Sequence, residues 1–266
     1  MNAVSAFSLL IVVPTLNSFK ELPTLIGSLR DQSWSNWKLL FVDGPSEIRH
    51  RDWLVQCCAI DSRCSWVEQS IDQPGIFGAM NQGFSLADPE DWVLFWGSDD
   101  WAAAPSVLED AIRFIAKEKN IYDLFICTGR YADASTGLLG RTTVFQTEGV
   151  LNCSQFRRAL WFGASPPHQA TWFGPGARAK LDHYASGFRL AADLDYFLQL
   201  SRHPGLCVSC FDLELVHMAD GGVSGKQTKR RLLEVRRAYR RAFPWCWLFP
   251  YAFRYIKRIS SLLRPF

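Results

Sequence analysis

Two adjacent carboxylates, Asp99 and Asp100, close the segment Asp-Trp-Val-Leu-Phe-Trp-Gly-Ser-Asp-Asp that runs from Asp91 to Asp100. Like charges this close repel unless something positive sits near them. A hard divalent cation that shares its oxygen ligands with a phosphate-bearing substrate would supply that charge. The plainer use of an Asp pair is a solvated turn, or a cap for a helix after Pro105, because Asp is favoured in both places. The pair is not alone, however. Pro14-Thr15-Leu16-Asn17, Asp43-Gly44 and the stretch from Asp72 to Asn81 also carry polar residues near the ends of predicted strands.

Those four loops need elements that bring them together. Trp92 to Trp96 is a short apolar run bounded by charge and glycine, the pattern of a strand buried on both faces. Phe7 to Val13 reads the same way and ends at Pro14, while Lys38 to Val42 opens onto Asp43-Gly44. Ser18 and Glu21 have capping-box spacing for a helix reaching about Arg30. Further helices are expected around Arg51 to Ala59, over Ile76 to Leu86, and from Pro105 to about Lys119, with a short strand near Trp66 to Glu68. The alternation predicts right-handed βαβ units. The expected fold is α/β, with a Rossmann-like, mostly parallel central sheet and helices on both faces. In such a sheet the loops after the strands converge on one edge, where ligands bind.

After Asp123 the rhythm changes. Strands are expected over Leu124 to Thr128, Arg141 to Thr147, Ala170 to Phe173 and Leu206 to Met218. Helices are expected over Cys153 to Leu160 and Leu190 to Arg202, and Gly221, Gly222 and Gly225 mark a flexible loop.

Composition narrows the class. The chain has 266 residues, 48% apolar and 14% aromatic, which suits a folded protein with a sizeable core and excludes disorder as its main state. The formal charge of +3 hides an asymmetry. From Lys226 onward twelve Lys/Arg face one acid, Glu234, a net of +11; the preceding body holds seventeen bases and twenty-five acids, a net of −8. Eight cysteines form no zinc or disulfide pattern. Cys207 and Cys210 fall in a predicted strand, where positions three apart face opposite sides, so they are expected as core thiols. No secretory signal or run of about 20 apolar residues is present, and a cytoplasmic protein with reduced thiols is expected.

Six pieces in one order carry a resemblance: Val12-Val13-Pro14-Thr15-Leu16-Asn17; Val42-Asp43-Gly44; Asp72-x-x-Gly75-Ile76-Phe77-x-Ala79-Met80-Asn81-x-Gly83; Gly97-Ser98-Asp99-Asp100; Ala192-Asp193-x-Asp195-Tyr196; and Gly221-Gly222-Val223-Ser224. Together they resemble the family 2 glycosyltransferases of GT-A fold, in the exopolysaccharide and O-antigen branch, over roughly residues 7 to 225. The resemblance implies one domain over 1–225, with a nucleotide-sugar half (1–105) and an acceptor half (106–225). It implies that Pro14, Thr15 and Asn17 line the nucleotide pocket and that Asp43 accepts a hydrogen bond from the base. Asp72 and Asn81 would hold the ribose or sugar-phosphate side. Asp100, supported by Asp99 and joined by His217, would hold Mg²⁺ or Mn²⁺. Asp193 would be the general base of an inverting transfer, with Asp195 as the alternative. His168 would contact the acceptor. Met80 stands where many relatives have an Arg for the diphosphate, so Lys226 or Arg230 is the substitute expected here.

The tail, 226–266, interleaves Lys/Arg with Trp, Tyr and Phe. That mixture suits the headgroup layer of an anionic membrane, so a peripheral position on the inner face of the cell membrane is expected. A helix packed on the body with a solvated basic face is the plainer reading. An acidic body without a binding motif argues against nucleic acid. The expected partners are a nucleotide-sugar donor, a UDP-sugar being favoured, and a polyprenyl-diphosphate-linked glycan acceptor. The alternatives are a nucleotidyltransferase on a related sheet and a catalytically silent membrane adaptor; Pro14 to Lys20 lacks the basic, glycine-rich phosphate loop of the former.

Overall fold

The computed structural model describes residues 7–117, 122–133, 136–145, 148–220 and 227–262, the side chains of 257–262 excepted. Four parallel strands form its first half: β1 (Leu9–Thr15), β2 (Trp37–Asp43), β3 (Cys64–Glu68) and β4 (Trp92–Phe95), side by side in the order β3-β2-β1-β4. Helices α1 (Leu22–Arg30), α2 (Ile48–Ile60) and α3 (Ile76–Leu86) connect them. Beyond β4 the sheet continues as β9 (Thr171–Phe173), β6 (Leu124–Ala132), β10 (Cys207–Ala219) and β5 (Trp101–Ala102). β9 runs antiparallel to β4 and β6, whereas β6 and β10 are parallel. β7 (Leu139–Thr143) and β8 (Gly149–Asn152) flank this half. The remaining helices are α4 (Val107–Lys117), α5 (Cys153–Trp161), α6 (Pro175–Lys180), α7 (Ala192–Leu200), α8 (Thr228–Ala242) and α9 (Leu248–Leu262). The expected α/β architecture is therefore present, with one mixed sheet running through both halves.

Why the central strands read as unbroken apolar runs is plain from the cores. Successive side chains of β1 point to opposite faces. Leu10 and Val12 enter a core with α3, α5, α7 and α8, while Leu9, Ile11 and Val13 enter another with α1, α2 and α4. Helices cover both faces, so both registers are apolar. Cys207 and Cys210 obey the same rule: Cys210 is in the first core and Cys207 packs on the second, both as free thiols.

Several expectations shift. The Ser18/Glu21 capping box does not form. Helix α1 begins at Leu22 with Pro23 in its first turn and no side-chain cap, and the Ser18 carbonyl instead accepts the amides of Glu21 and Leu22. Two short strands, β5 and β8, and the short helix α6 went unforeseen because two to six residues carry too little periodicity. The basic tail is not a separate unit. Val235, Ala238, Tyr239 and Ala242 of α8 are buried in the same core as Leu194, Phe197 and Leu198 of α7.

Candidate active site

The parallel strands end at one rim. Thr15 and Asp43 are register partners at the ends of β1 and β2, and Asp43 in turn pairs with Glu68 at the end of β3. Trp96, just past β4, donates its amide to Val12, which brings Gly97 to Asp100 alongside the end of β1. This is where open α/β sheets bind ligands.

Asp43 is closed off from solvent. Its Oδ1 accepts hydrogen bonds from Thr15 Oγ1 at 3.0 Å and Ser46 Oγ at 2.7 Å. His50 Nε2 lies 3.1 Å from the same oxygen, out of hydrogen-bond alignment, and Arg51 Nε lies 3.7 Å from Oδ2. Oδ2 has no hydrogen-bond partner, which is costly for a buried carboxylate oxygen. Asn17 adopts a positive φ of 54°, tolerable for Asn, and latches two rim loops together. Its amide donates to Ser46 Oγ, and its Oδ1 accepts the Glu47 amide at 2.7 Å. Pro14 is half-buried beside Thr15, and Asp72 is exposed in the turn after β3.

The acidic pair folds back over Gly97. Asp100 Oδ2 accepts the Gly97 amide at 2.6 Å. A Cβ on Gly97 would sit 2.7 Å from Asp99 Oδ1 and 3.1 Å from Asp100 Oδ2, so a larger residue here would push the Asp99 carboxylate aside. Burial, then the charge of Asp99, pushes the Asp100 carboxyl up to about 7. Asp99 is exposed, yet the protein around its stem raises it too, with Glu21 adding repulsion. Two crowded carboxylates that resist ionisation fit a hard divalent cation, which would relieve both costs. The set as drawn is incomplete: among the described residues no third His, Cys, Asp or Glu joins them.

His217 does not supply that ligand. It pairs across the sheet with Trp101, stands edge-on to the Trp101 ring, and its Nε2 is 2.9 Å from Glu214 Oε1. Asn81 is also committed elsewhere. Its Nδ2 donates to the Tyr184 carbonyl at 3.0 Å and its Oδ1 accepts the Tyr184 amide at 2.7 Å, so it braces α3 rather than presenting a free amide. Arg230 is held by Glu234 at 3.0 Å, while Lys226 and the Gly221 to Ser224 motif lie outside the described residues.

Asp193 and Asp195 separate by helical geometry, because residues two apart on a helix point to nearly opposite sides. Asp195 is buried and paired with Arg241 of α8. Burial raises its carboxyl, against the pull of Arg241. The alternative base is thus spent on an internal ion pair and closed to solvent. Asp193 is half-buried, and among the described residues its carboxylate has no hydrogen-bond or ion-pair partner. Its charge is felt at His168 and Tyr184.

His168 is not an open acceptor contact. It is buried, stacked on Phe95 at 5.5 Å, and bonded through Nε2 to Tyr184 Oη at 2.8 Å. Burial lowers its pKa to about 4, with Asp193 opposing. Sequence reasoning missed Ser46, His50, Arg51, Tyr184 and Glu234. For Ser46, His50 and Arg51 a signal existed: they lie three to eight residues past Asp43, where the chain turns into α2.

Known proteins share the family and the fold. The Glycosyl transferase family 2 model matches residues 10–184. The PGL/p-HBAD biosynthesis glycosyltransferase of Mycobacterium bovis (strain BCG / Pasteur 1173P2) is 28% identical over 196 residues, 74% of this chain and 70% of the relative. S. aureus TarS 1-349 in complex with UDP-GlcNAc superposes with a TM-score of 0.68 at 18% identity, over 88% of this chain and 66% of TarS 1-349. The mannosyltransferase PcManGT from Pyrobaculum calidifontis, in complex with GDP-Man and Mn²⁺, gives 0.58 at 13% identity, over 93% and 69%. A further crystal structure of S. aureus TarS 1-349 is matched over 64% of its length, so this chain spans slightly under two thirds of that structure. At these identities the structural likeness is one of fold. Rim, sheet and family model converge, and the chain belongs to glycosyl transferase family 2.

Proposed function

We propose that this chain is an inverting, metal-dependent glycosyltransferase. It moves a sugar from a nucleotide-diphosphate donor, a UDP-sugar being favoured, to a hydroxyl of a lipid-linked glycan in surface polysaccharide synthesis. One observation carries the reading: among the described residues Asp193 keeps an unpaired, half-buried carboxylate while its neighbour Asp195 is locked in an ion pair. A carboxylate left free at the start of a helix, in a family that transfers sugars, is available as a general base. Asp193 takes the proton of the acceptor hydroxyl as that oxygen bonds to the anomeric carbon. The bond from that carbon to the diphosphate breaks on the opposite side, so configuration inverts.

Asp100 and Asp99 would hold Mg²⁺ or Mn²⁺. When bound, the cation neutralises the leaving diphosphate. Asp43 Oδ2, which accepts no hydrogen bond among the described residues, would accept a ring N–H of the base. Reaching it requires Arg51, one-third exposed, to swing aside. Pro14, Thr15 and Asn17 shape the pocket wall and Asp72 stands at its edge. Support for a UDP-sugar comes from TarS, which has been solved with UDP and with UDP-GlcNAc.

The acceptor side is read from the tail. Trp245, Leu248, Phe249, Phe253 and Ile256 are exposed along α9 and the turn before it, and they recur at helical spacing. Arg236, Arg237, Arg240 and Arg241 of α8, with Leu233, line an open concavity of about 470 Å³. No helix among the described residues is long and apolar enough to cross a membrane. An apolar stripe beside arginines suits the interface of an anionic bilayer, where the protein would meet a polyprenyl-diphosphate-linked glycan from the cytoplasmic side.

A thermal-shift screen of nucleotide sugars with and without Mn²⁺, followed by UDP release from the stabilising donor, tests the proposal. Mn²⁺-dependent stabilisation and release of UDP are expected. Turnover of a nucleoside triphosphate with pyrophosphate release would assign a nucleotidyltransferase instead. No binding of any donor would leave a silent adaptor.

A further inference from the structure

The basic tail contains one acid from Lys226 onward, and the structure places it at the catalytic end of α7. Glu234 of α8 is 7% exposed. Its Oε2 accepts three consecutive backbone amides, from Arg189 at 3.0 Å, Leu190 at 2.7 Å and Ala191 at 3.1 Å. Its Oε1 accepts from Arg230 Nε at 3.0 Å. Burial alone would raise this carboxyl, but the amides and Arg230 outweigh it and hold it below the ordinary range.

Those amides lead directly into α7. The helix begins at Ala192 with Ala191 as its cap residue, and neither alanine can cap it. The first amides of a helix need an acceptor, and a negative charge there also favours the helix dipole. Glu234 supplies the charge and takes one of those amides, that of the cap residue Ala191, together with the two before it, from a helix some forty residues further along the chain. On the other side of Asp193, Asp195 is tied to Arg241 of the same helix. Helix α8 therefore grips the backbone two residues before Asp193 and the side chain two residues after it. The helix packing between these anchors is apolar and close: Val235, Ala238 and Tyr239 are fully buried in a shared core with Leu194 and Phe197.

We propose that Glu234 is a positioning residue for the transfer: from α8 it holds the three amides of 189–191 that lead into α7 and thereby fixes where the Asp193 carboxylate stands. The proposal rests on Asp193 being the base. It assigns the tail a role inside the catalytic domain, distinct from its membrane-facing stripe. A displaced base is costly, since a misplacement of about 1 Å can lower turnover by about 10²-fold.

The test compares Glu234→Gln with Glu234→Asp in the full chain. Gln keeps an oxygen at the same reach but loses the charge; Asp keeps the charge but falls one methylene short. Positioning predicts that Gln retains turnover within about tenfold while Asp loses about 10²-fold, with UDP affinity and donor KM unchanged in both. Amide hydrogen exchange at 189–191 should rise in the Asp variant and stay near wild type in the Gln variant. Equal exchange at those amides in all three proteins would overturn the proposal without any activity measurement. So would an Asp variant that outperforms Gln, or freed amides with undiminished turnover. Asp193→Asn is run alongside: wild-type turnover there sinks the base assignment, whatever Glu234 does.

Discussion

Asp193 and Asp195 stand two residues apart on α7 and meet different worlds. Asp195 is sealed against Arg241, whereas Asp193 stays unpaired and its charge reaches His168 and Tyr184. Asp193→Asn should lower turnover by about 10²–10⁴-fold with UDP affinity unchanged, as removal of a general base requires. Asp195→Asn should instead lower the melting temperature, because it leaves Arg241 without its buried partner. Initial rates and thermal melts of the two variants separate these effects.

Burial and the charge of Asp99 push the Asp100 carboxyl up to about 7, a cost that a bound cation would relieve. Mn²⁺ should tighten UDP binding to the wild-type protein. Asp100→Asn should reduce that cation-linked gain by at least about tenfold. Calorimetric titration of UDP with and without Mn²⁺ is the measurement; an identical gain in both proteins would move the cation elsewhere.

His168 gives the fold an acid-sensitive point. Its folded pKa of about 4 lies below the unfolded value of 6.5, so the unfolded chain takes up a proton first as pH falls. Stability from this group is complete above pH 6.5 and is lost as pH drops toward 4, by about 3 kcal/mol at the limit. Urea midpoints at pH 7 and pH 4.5 should diverge more for the wild type than for His168→Phe.

Gly83 lets α3 lie against β1. A Cβ there would meet Val12 Cγ1 at 2.5 Å and Cγ2 at 2.8 Å, and a β-branched side chain on a central strand has little room to yield. Gly83→Ala should cost about 1–3 kcal/mol. The same substitution in a Val12→Ala background should cost less, a coupling that a double-mutant cycle reads directly.

Trp245 and Phe249 are 97% and 63% exposed. Replacing both by Ser should leave the thermal melt unchanged and reduce sedimentation with anionic vesicles by roughly 10²-fold, given what burying an aromatic side chain contributes. Undiminished sedimentation of this variant would remove the membrane from the reading.

Local pattern was enough for the parallel half. Ile76 to Leu86 is helical over the expected residues, and the strands ending at Asp43 and near Trp96 are where apolar runs stop at polar loops. Such strands are legible because burial on both faces imposes an unbroken apolar run. The antiparallel half was harder. β5 has two residues and β8 four, and each is a strand only because β10 lies beside it.

Sequence alone determined the class of fold, the polar rim and the family, since those depend on residue types in chain order. Tertiary structure decided which carboxylates are free. Asp193 and Asp195, and Asn81 and Asp72, play on similar chemistry within each pair, yet one of each is spent on an internal partner. Those partners, Arg241 and Tyr184, lie far along the chain from the residues they hold. A carboxylate's availability is set by what packs against it in space, and no local spacing encodes that.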